Sequence, residues 1–148
     1  MVPLVLSIDD DQSSQILMRA YLKDEDFCRE FVSKVNGQEA LDYLVALENA
    51  ASAEAWPDVI FLDINMPVLN GWEFLSQFKE LCQTHKRHPV IVMVSATNTA
   101  EDLCRASANP MVLNLTLKPI NGGTIDELRQ LDSLSHFFDD QQAHSIAP

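Results

Sequence analysis

The sequence predicts an α/β domain in which helices cover both faces of a doubly wound, five-stranded parallel sheet. Five short β-type stretches alternate with five segments of helical periodicity along the chain. The third and fourth strands, 59–62 and 90–94, are apolar on both faces, which is typical of central parallel strands. At 148 residues the chain has the length of one ordinary domain.

The first two strand-helix units lie before residue 50. Strand 4–8 ends in three aspartates, and the helix that starts at Gln12 is predicted to turn Ile16, Leu17, Ala20 and Tyr21 inward. Strand 31–35 stops at an Asn-Gly pair, after which a second helix repeats apolar residues at helical spacing. Its apolar positions are Ala40, Leu41, Leu44 and Leu47.

The remaining units follow residues 49–55, which are predicted to be a frayed helix end or a loop because Pro57 prevents a helix from continuing. Strand 59–62 leads to a helix beginning at Gly71, and strand 90–94 to a short helix capped by Asn98 or Thr99 that carries Leu103 and Ala106. Strand 112–117 precedes a last helix, which a Thr-Glu capping box is predicted to open. The capping box is Thr124 and Glu127, and the inward residues are Ile125, Leu128 and Leu131.

Charge and apolar content exclude several classes of function. Ten basic against 22 acidic residues give a net charge of −12, which disfavours binding to nucleic acid and to anionic membranes. The longest apolar run in a strand-like context, 90–94, is far shorter than a membrane span, and the N-terminus lacks the basic start of a signal peptide. Together with an odd number of cysteines, three, these features predict a cytoplasmic protein with reduced thiols.

The predicted strand ends carry chemically useful side chains. The first strand ends on Asp9-Asp10, the third on Asp63, the fourth on Ser95 and the fifth on Lys118. Ligands of such sheets bind beyond the carboxyl ends of the strands. Clustered carboxylates repel one another unless a cation lies among them, and oxygen ligands favour Mg²⁺. The lysine and the hydroxyl suit a phosphoryl group, which a carboxylate could accept as an acyl phosphate.

Four segments, read with their spacing, resemble a known family. They are "LSIDDDQSS", "IFLDINMPVLNGWEFL", "VIVMVSA" and "LTLKPI". In this order they are similar to the receiver domain of two-component response regulators, over about residues 3 to 132. The resemblance implies a flavodoxin-like receiver fold, with a receiver domain over 1–134 and a C-terminal tail over 135–148. Because only the tail follows the fifth helix, we expect a stand-alone receiver that signals by protein contact or serves as an intermediate in a phosphorelay.

The resemblance implies a role for each site residue. Asp63 would accept a phosphoryl group from a sensor histidine kinase or a histidine phosphotransfer protein. The metal ligands for Mg²⁺ would be Asp10 directly, Asp9 through water, Asp63, and the backbone carbonyl of Asn65. The phosphoryl oxygens would be met by Ser95 and Lys118, with the small Ala96 leaving the site open and a commonly cis bond before Pro119 aiming the lysine.

One position departs from the family pattern. The aromatic residue that the family usually has three positions before the lysine is Leu115 in this chain. We expect phosphorylation to act on a downstream protein through the face formed by the fourth helix, fifth strand and fifth helix, with Ser95 repacking the fourth helix through Leu115. A homodimer is possible, and catalysis would be limited to the domain's own phosphorylation and dephosphorylation.

Two alternatives use the same residues. A haloacid-dehalogenase-type phosphatase would attack phosphate with Asp9, use Asp11 as general acid and place Ser95 and Lys118 in its later motifs, but it would leave Asp63 without a role. A pseudo-receiver would have the fold without phosphorylation. Each motif alone could be a helix cap, a turn or a solvated side chain; only their joint occurrence favours the receiver.

Overall fold

The computed structural model describes residues 1–49, 56–85 and 88–139. The strands are β1 (Val2–Ile8), β2 (Cys28–Lys34), β3 (Val59–Asp63), β4 (Val90–Ser95) and β5 (Val112–Leu117). The helices are α1 (Gln12–Asp24), α2 (Gly37–Asn49), α3 (Gly71–His85), α4 (Ala100–Ala108), α5 (Gly122–Gln130) and α6 (Asp132–Ser135). Most of the predicted frayed helix end or loop over 49–55 lies outside the described residues, and Asn49 is the last residue of α2.

The five strands form one parallel sheet in the order β2-β1-β3-β4-β5, which confirms the predicted fold class. The order reverses between β1 and β3, where a parallel sheet opens a crevice beyond its strand ends. In the register, Ser95 of β4 pairs with Leu117 of β5, and Asp63 of β3 pairs with Val94 of β4. The side chains that follow β1 and those that end β3 therefore meet at the reversal.

Two apolar clusters, one on each face of the sheet, hold the helices in place. Alternate strand residues point to opposite faces, so Leu6 and Ile60 join one cluster while Val5 and Phe61 join the other. The first cluster includes residues of α2 and α3, namely Leu41, Leu44, Phe74 and Phe78. The second includes residues of α1 and α5, namely Met18, Leu22, Ile125 and Leu128. The burial of β3 on both faces confirms the interpretation of 59–62 as a central strand.

The predicted inward face of α1 is wrong except at Tyr21, which is half-buried and packs against the second cluster. Ile16 is 71% exposed, Leu17 is 41% exposed and Ala20 is exposed, whereas the buried residues are Gln15, Met18 and Leu22. The side chain of Asp11 accepts hydrogen bonds from the backbone of the first helical turn and so fixes where the helix starts. This start directs the 15-18-22 stripe toward the sheet, and the amide of Gln15 finds partners there.

The observed N-caps of α4 and α5 test the two predictions of helix caps. Thr99 caps α4, as one of the two predicted alternatives, by accepting from the backbone of Asp102. The capping box predicted for the last helix is wrong, because α5 begins earlier and Asn121 is its N-cap. The Asn121 side chain accepts from the backbone of Thr124 at 3.1 Å. Of the predicted α4 residues, Ala106 is buried and Leu103 is 40% exposed.

Residues after α5 pack on the body of the domain. The short helix α6 was not predicted, and Phe138 beyond it is 3% exposed, with its ring 5.4 Å from that of Phe27. The guanidinium of Arg129 on α5 lies 5.5 Å from the same ring. The terminal amine of Met1 donates to the carbonyl of Phe137 at 2.7 Å. The boundary between 134 and 135 stays a prediction, and residues 140–148 of the predicted tail lie outside the described part of the chain.

Candidate functional site: an acidic cluster with a lysine at the strand ends

Three carboxylates and one ammonium group meet beyond the carboxyl ends of the strands. The Lys118 Nζ lies 2.7 Å from an oxygen of Asp9 and 3.4 Å from an oxygen of Asp63. Asp9, Asp10 and Asp63 each offer one oxygen, and these oxygens lie within 4.8 Å of one another. The side chains are therefore close enough to share one small ligand.

The electrostatics of this cluster are set by burial and mutual charge. Asp63 is 4% exposed, and its burial, reinforced by the charge of Asp9 and opposed by Lys118, raises its pKa from 3.8 to about 7. Burial alone would lower the pKa of Lys118. Its hydrogen bond to Asp9 and the charges of Asp63 and Asp9 outweigh that effect, so its pKa is raised and it stays protonated. The cluster holds one permanent cation among carboxylates that are costly to ionise together.

The loop after β1 is held by its own side chains. Asp9 donates its backbone N–H to the carbonyl of Lys34 at 3.0 Å, and one of its carboxylate oxygens accepts from the backbone of Asp11 at 2.9 Å. Asp11 in turn caps α1, and hydrogen bonds from Ser14 and Ser13 lower its pKa. Between them, Asp10 is exposed at the rim of the cluster. The acidic run therefore starts α1 and places two carboxylates in the cluster.

The junction between β3 and α3 holds Asp63 from the other side. Gly71 donates its N–H to the carbonyl of Ile64 at 2.9 Å, and a Cβ at Gly71 would lie 2.6 Å from the carbonyl oxygen of Asp63. Asn70 and Glu73 cap α3 reciprocally, each side chain accepting from the backbone of the other at 2.9 and 3.1 Å. The contact at Gly71 fixes the distance between α3 and the end of β3.

The loop within this junction is exposed. Asn65, whose carbonyl is predicted as a ligand, is exposed two residues after Asp63. Val68 is 81% exposed and has φ of 68°, a left-handed conformation that β-branched residues rarely adopt.

Ser95 and Lys118 are connected through the backbone. Ser95 is fully buried, its hydroxyl accepts from the backbone of Thr97 at 3.2 Å, and its carbonyl accepts from the backbone of Lys118 at 2.9 Å. Ala96 is exposed at the mouth of the site. The Lys118–Pro119 peptide bond is cis, as the resemblance implied.

Leu115 lies half-buried on β5 at the edge of the cluster that includes Ala106 of α4. Both residues line a cavity of about 280 Å³ between α4 and β5, which is also lined by Leu103. The space around Leu115 is therefore not filled by neighbouring side chains.

The family model for the response regulator receiver domain matches residues 5–130. The chain is a response regulator receiver domain. It is 32% identical over 146 residues to the DNA-binding transcriptional regulator NtrC of Salmonella typhimurium, covering 97% of this chain and 27% of NtrC. It is 34% identical over 96 residues to a protein-glutamate methylesterase/protein-glutamine glutaminase of Geobacillus kaustophilus, covering 64% of this chain and 24% of that protein.

A solved structure shows the same fold. The crystal structure of a two-component response regulator from Cytophaga hutchinsonii superimposes with a TM-score of 0.81 at 29% identity, covering 90% of this chain and 98% of that one. The receiver spans only about a quarter of the NtrC and methylesterase relatives. The family match identifies the receiver instead of the dehalogenase-type phosphatase.

The donor set of this receiver fits Mg²⁺. Three carboxylates supply the hard oxygen ligands that the ion prefers, and Asp9, Asp10 and Asp63 are the only such acidic, histidine or cysteine triad within the described ranges. Receivers in general bind Mg²⁺. In addition, no helix of the described segments is both long enough and apolar enough to cross a membrane.

Two residues next to the site were not identified from the sequence. Gly71 was predicted as a helix start, without its contact to Asp63, because closeness across a loop leaves no pattern in the sequence. Gln15 was not predicted to be buried, although it lies at helical spacing from Met18 and Leu22, and this spacing could have indicated the inward face.

Proposed function

We propose that Asp63 is the phosphoacceptor of this receiver. The observation that supports it is the position of its carboxylate, which is buried at the end of β3, 3.4 Å from Lys118 and within 4.8 Å of Asp9 and Asp10. The donor is a phosphohistidine of a sensor histidine kinase or a histidine phosphotransfer protein. An ammonium group and a cation site on either side of a nucleophilic carboxylate are suited to phosphoryl transfer, since they stabilise charge on the transferring oxygens.

The reaction requires an ionised Asp63. One of its oxygens attacks the phosphorus, the P–N bond of the phosphohistidine breaks, and the bonding electrons stay on the histidine nitrogen, which takes a proton. The Lys118 Nζ lies within reach of both Asp9 and Asp63. It can therefore turn from Asp9 toward an oxygen of a phosphoryl group bonded to Asp63. Asp10, Asp63, the carbonyl of Asn65 and, through water, Asp9 would hold Mg²⁺, whose positive charge would favour ionised Asp63.

Ser95 and Ala96 complete the site on the side of α4. The Ser95 hydroxyl, which accepts from Thr97, is positioned to exchange that bond for one to a phosphoryl oxygen. Ala96 has only a methyl group at the exposed mouth, so a donor histidine and, later, water can approach. The catalysis proposed for the domain is limited to its own phosphorylation and dephosphorylation.

The output is a changed protein-binding face formed by α4, β5 and α5. Phosphorylation draws Ser95 inward, and we infer that Leu115 transmits the movement to α4 because it borders the cavity beneath that helix. Structures or amide NMR spectra with and without beryllofluoride should show a displaced α4. An unchanged α4 would exclude this route.

The proposed partners follow from charge and family. With a net charge of −12, the domain is suited to contacts with proteins and not with nucleic acid or anionic membranes. We propose that it works in the cytoplasm as a receiver that signals to a downstream protein.

The decisive experiment is phosphorylation by acetyl phosphate with Mg²⁺, read by intact mass. We expect the wild-type protein to gain one phosphoryl group and Asp63→Asn to gain none. Asp24→Asn, which changes an exposed aspartate of α1, is the matched control and should label like the wild type. Failure of the wild type to label would support the pseudo-receiver alternative. Hydrolysis of a generic phosphate ester that survives Asp63→Asn would revive the phosphatase alternative.

A further inference from the structure

Gln15 is buried on the face of α1 that also carries Met18 and Leu22, where an apolar residue would be expected. It is 8% exposed on the second turn of α1, although glutamine is usually exposed and the next residue, Ile16, is left 71% exposed. Burying an amide costs free energy unless it is hydrogen-bonded, so its partners explain its place.

The partners of Gln15 are three backbone carbonyls at the start of the acidic cluster. Its Nε2 lies 3.2 Å from the carbonyl oxygen of Ser7, 3.1 Å from that of Asp9 and 3.1 Å from that of Lys34. Carbonyl oxygens only accept, which settles the orientation of the amide. The Gln15 Oε1 is buried without a hydrogen-bond partner in the structure.

A purely structural role does not account for this arrangement. The ends of β1 and β2 are already joined by ladder pairing of Ile8 with Lys34, and by the hydrogen bond from the Asp9 N–H to the Lys34 carbonyl. The contact that the ladder does not provide is the one to the Asp9 carbonyl.

The Asp9 carbonyl belongs to the peptide plane between Asp9 and Asp10. Fixing that plane fixes ψ of the first residue and φ of the second, and so sets the directions of both side chains. Asp9 is held by Lys118, but the exposed Asp10 depends on its backbone for orientation.

We propose that Gln15 is a positioning residue that presets the Asp9–Asp10 peptide for binding a divalent cation. The inference rests on the proposed metal role of Asp9 and Asp10. Groups behind the ligands of a metal site commonly control its affinity, because they fix the ligands before the ion arrives.

The test is a titration of the full chain with Mg²⁺. The dissociation constant is obtained from the backbone amide NMR shifts of residues 9–11. Gln15→Met keeps the length of the side chain and removes both N–H donors. We expect the dissociation constant for Mg²⁺ to rise about tenfold. Gln15→Leu is a second variant with the same expectation, in case the first folds poorly. The exposed glutamine of α2 provides the matched control, Gln38→Met, which should bind like the wild type.

The outcomes separate this role from structure and from phosphorylation. A dissociation constant within about twofold of wild type in folded Gln15→Met, even with lower stability, would overturn the proposal, and so would an equal loss in Gln38→Met. If the wild type binds Mg²⁺ but acetyl phosphate does not label it, the proposed function fails while the positioning role of Gln15 is still decided by the affinities. At saturating Mg²⁺ we expect Gln15→Met to label to the wild-type extent.

Discussion

The two flanks of the strand-end site differ in how firmly they are held. The acidic flank, residues 9–15 and 63–71, is fixed by the amide of Gln15, by the cap of α1 and by the contact of Gly71 with the end of β3. The switch flank, residues 95–108 and 115–117, buries little beyond Ser95 and Ala106 and borders a cavity of about 280 Å³. The flank that we propose for Mg²⁺ binding is therefore held by more contacts than the flank that we propose for signalling.

This difference has a thermodynamic consequence. A ligand can shift a conformational equilibrium only by its differential affinity for the two states. If Asp63 is the phosphoacceptor, as we propose, the new interactions of the phosphoryl group would act mainly on the side with fewer buried contacts, where local rearrangement costs least. Exposed apolar residues on that side, Leu103 and Leu117, are available to a partner.

The largest effect is expected from removing the ammonium group of Lys118, which tests whether that charge holds the acidic flank together. Lys118→Met leaves the buried carboxylate of Asp9 without its partner at 2.7 Å and should lower the free energy of unfolding by about 3 kcal/mol at neutral pH. Urea denaturation with and without Mg²⁺ measures it, and the ion should restore part of the loss. Lys79→Met, at an exposed position of α3, is the control. Equal stabilities of the two variants would mean that the acidic flank is not held by charge pairing.

The second prediction concerns the contact between α3 and the end of β3. Gly71→Ala would place a methyl carbon 2.6 Å from the Asp63 carbonyl oxygen, and the required backbone shift should cost about 2–3 kcal/mol. Gly123→Ala, on α5, is the control, because its nearest neighbour is a side-chain oxygen at 3.3 Å. Alanine is the better helix former, so the control should be neutral or slightly stabilising in thermal denaturation. A mild effect at Gly71 would show that this junction can adapt and would weaken the comparison.

The third prediction follows from the pKa of Asp63, which burial first and the charge of Asp9 second raise to about 7 from 3.8. Between about pH 4 and pH 7 the folded protein holds a proton that the unfolded chain has lost, so the free energy of unfolding should fall as pH rises. We expect this decrease in the free energy of unfolding to be complete above about pH 7.

Asp63→Asn should remove this pH dependence and be more stable than the wild type at neutral pH, because the desolvated charge is gone. Chemical denaturation across the pH range measures both. Mg²⁺ should reduce the slope in the wild type and have little effect on it in the variant. A wild-type stability that stays level or rises between these pH values would contradict a raised pKa for Asp63.

The fold and the constituents of the site could be predicted from the sequence because each depends on local patterns. Continuous apolar runs indicated the central strands, and parallel strands bring their carboxyl ends together, so Asp9, Asp63 and Lys118 had to meet. The orientation of α1 could not be predicted by counting apolar residues. It depends on where Asp11 caps the helix and on carbonyls of β1 and β2 that accept from Gln15, which are tertiary contacts without a periodic signal.

The last helix start illustrates the same limit on a smaller scale. Thr124 and Glu127 have the spacing of a capping box, yet Asn121 is the cap, because it lies just after the bend at Pro119 and reaches the first turn from there. Spacing alone did not distinguish between two competing caps. The separate roles of the ligands and of Leu115 stay predictions, since they concern states with a phosphoryl group or a metal bound.

The smallest expected effect tests how α4 is attached. Trp72, the second residue of α3, is 9% exposed and donates its indole N–H to Asp102 at 3.3 Å, while the guanidinium of Arg105 lies 4.4 Å from its ring. Trp72→Phe removes the hydrogen bond and keeps an aromatic face, so the free energy of unfolding should fall by about 1 kcal/mol. Amide hydrogen exchange should accelerate more across α4 than across α1. Trp56→Phe, a buried control elsewhere in the core, should lower stability without this selective effect. If α4 exchanges at the wild-type rate in Trp72→Phe, the switch flank is held by the packing of α4 on β5. A phosphoryl group that moves α4 would then have to break that packing as well as the contacts of Trp72 with Asp102 and Arg105.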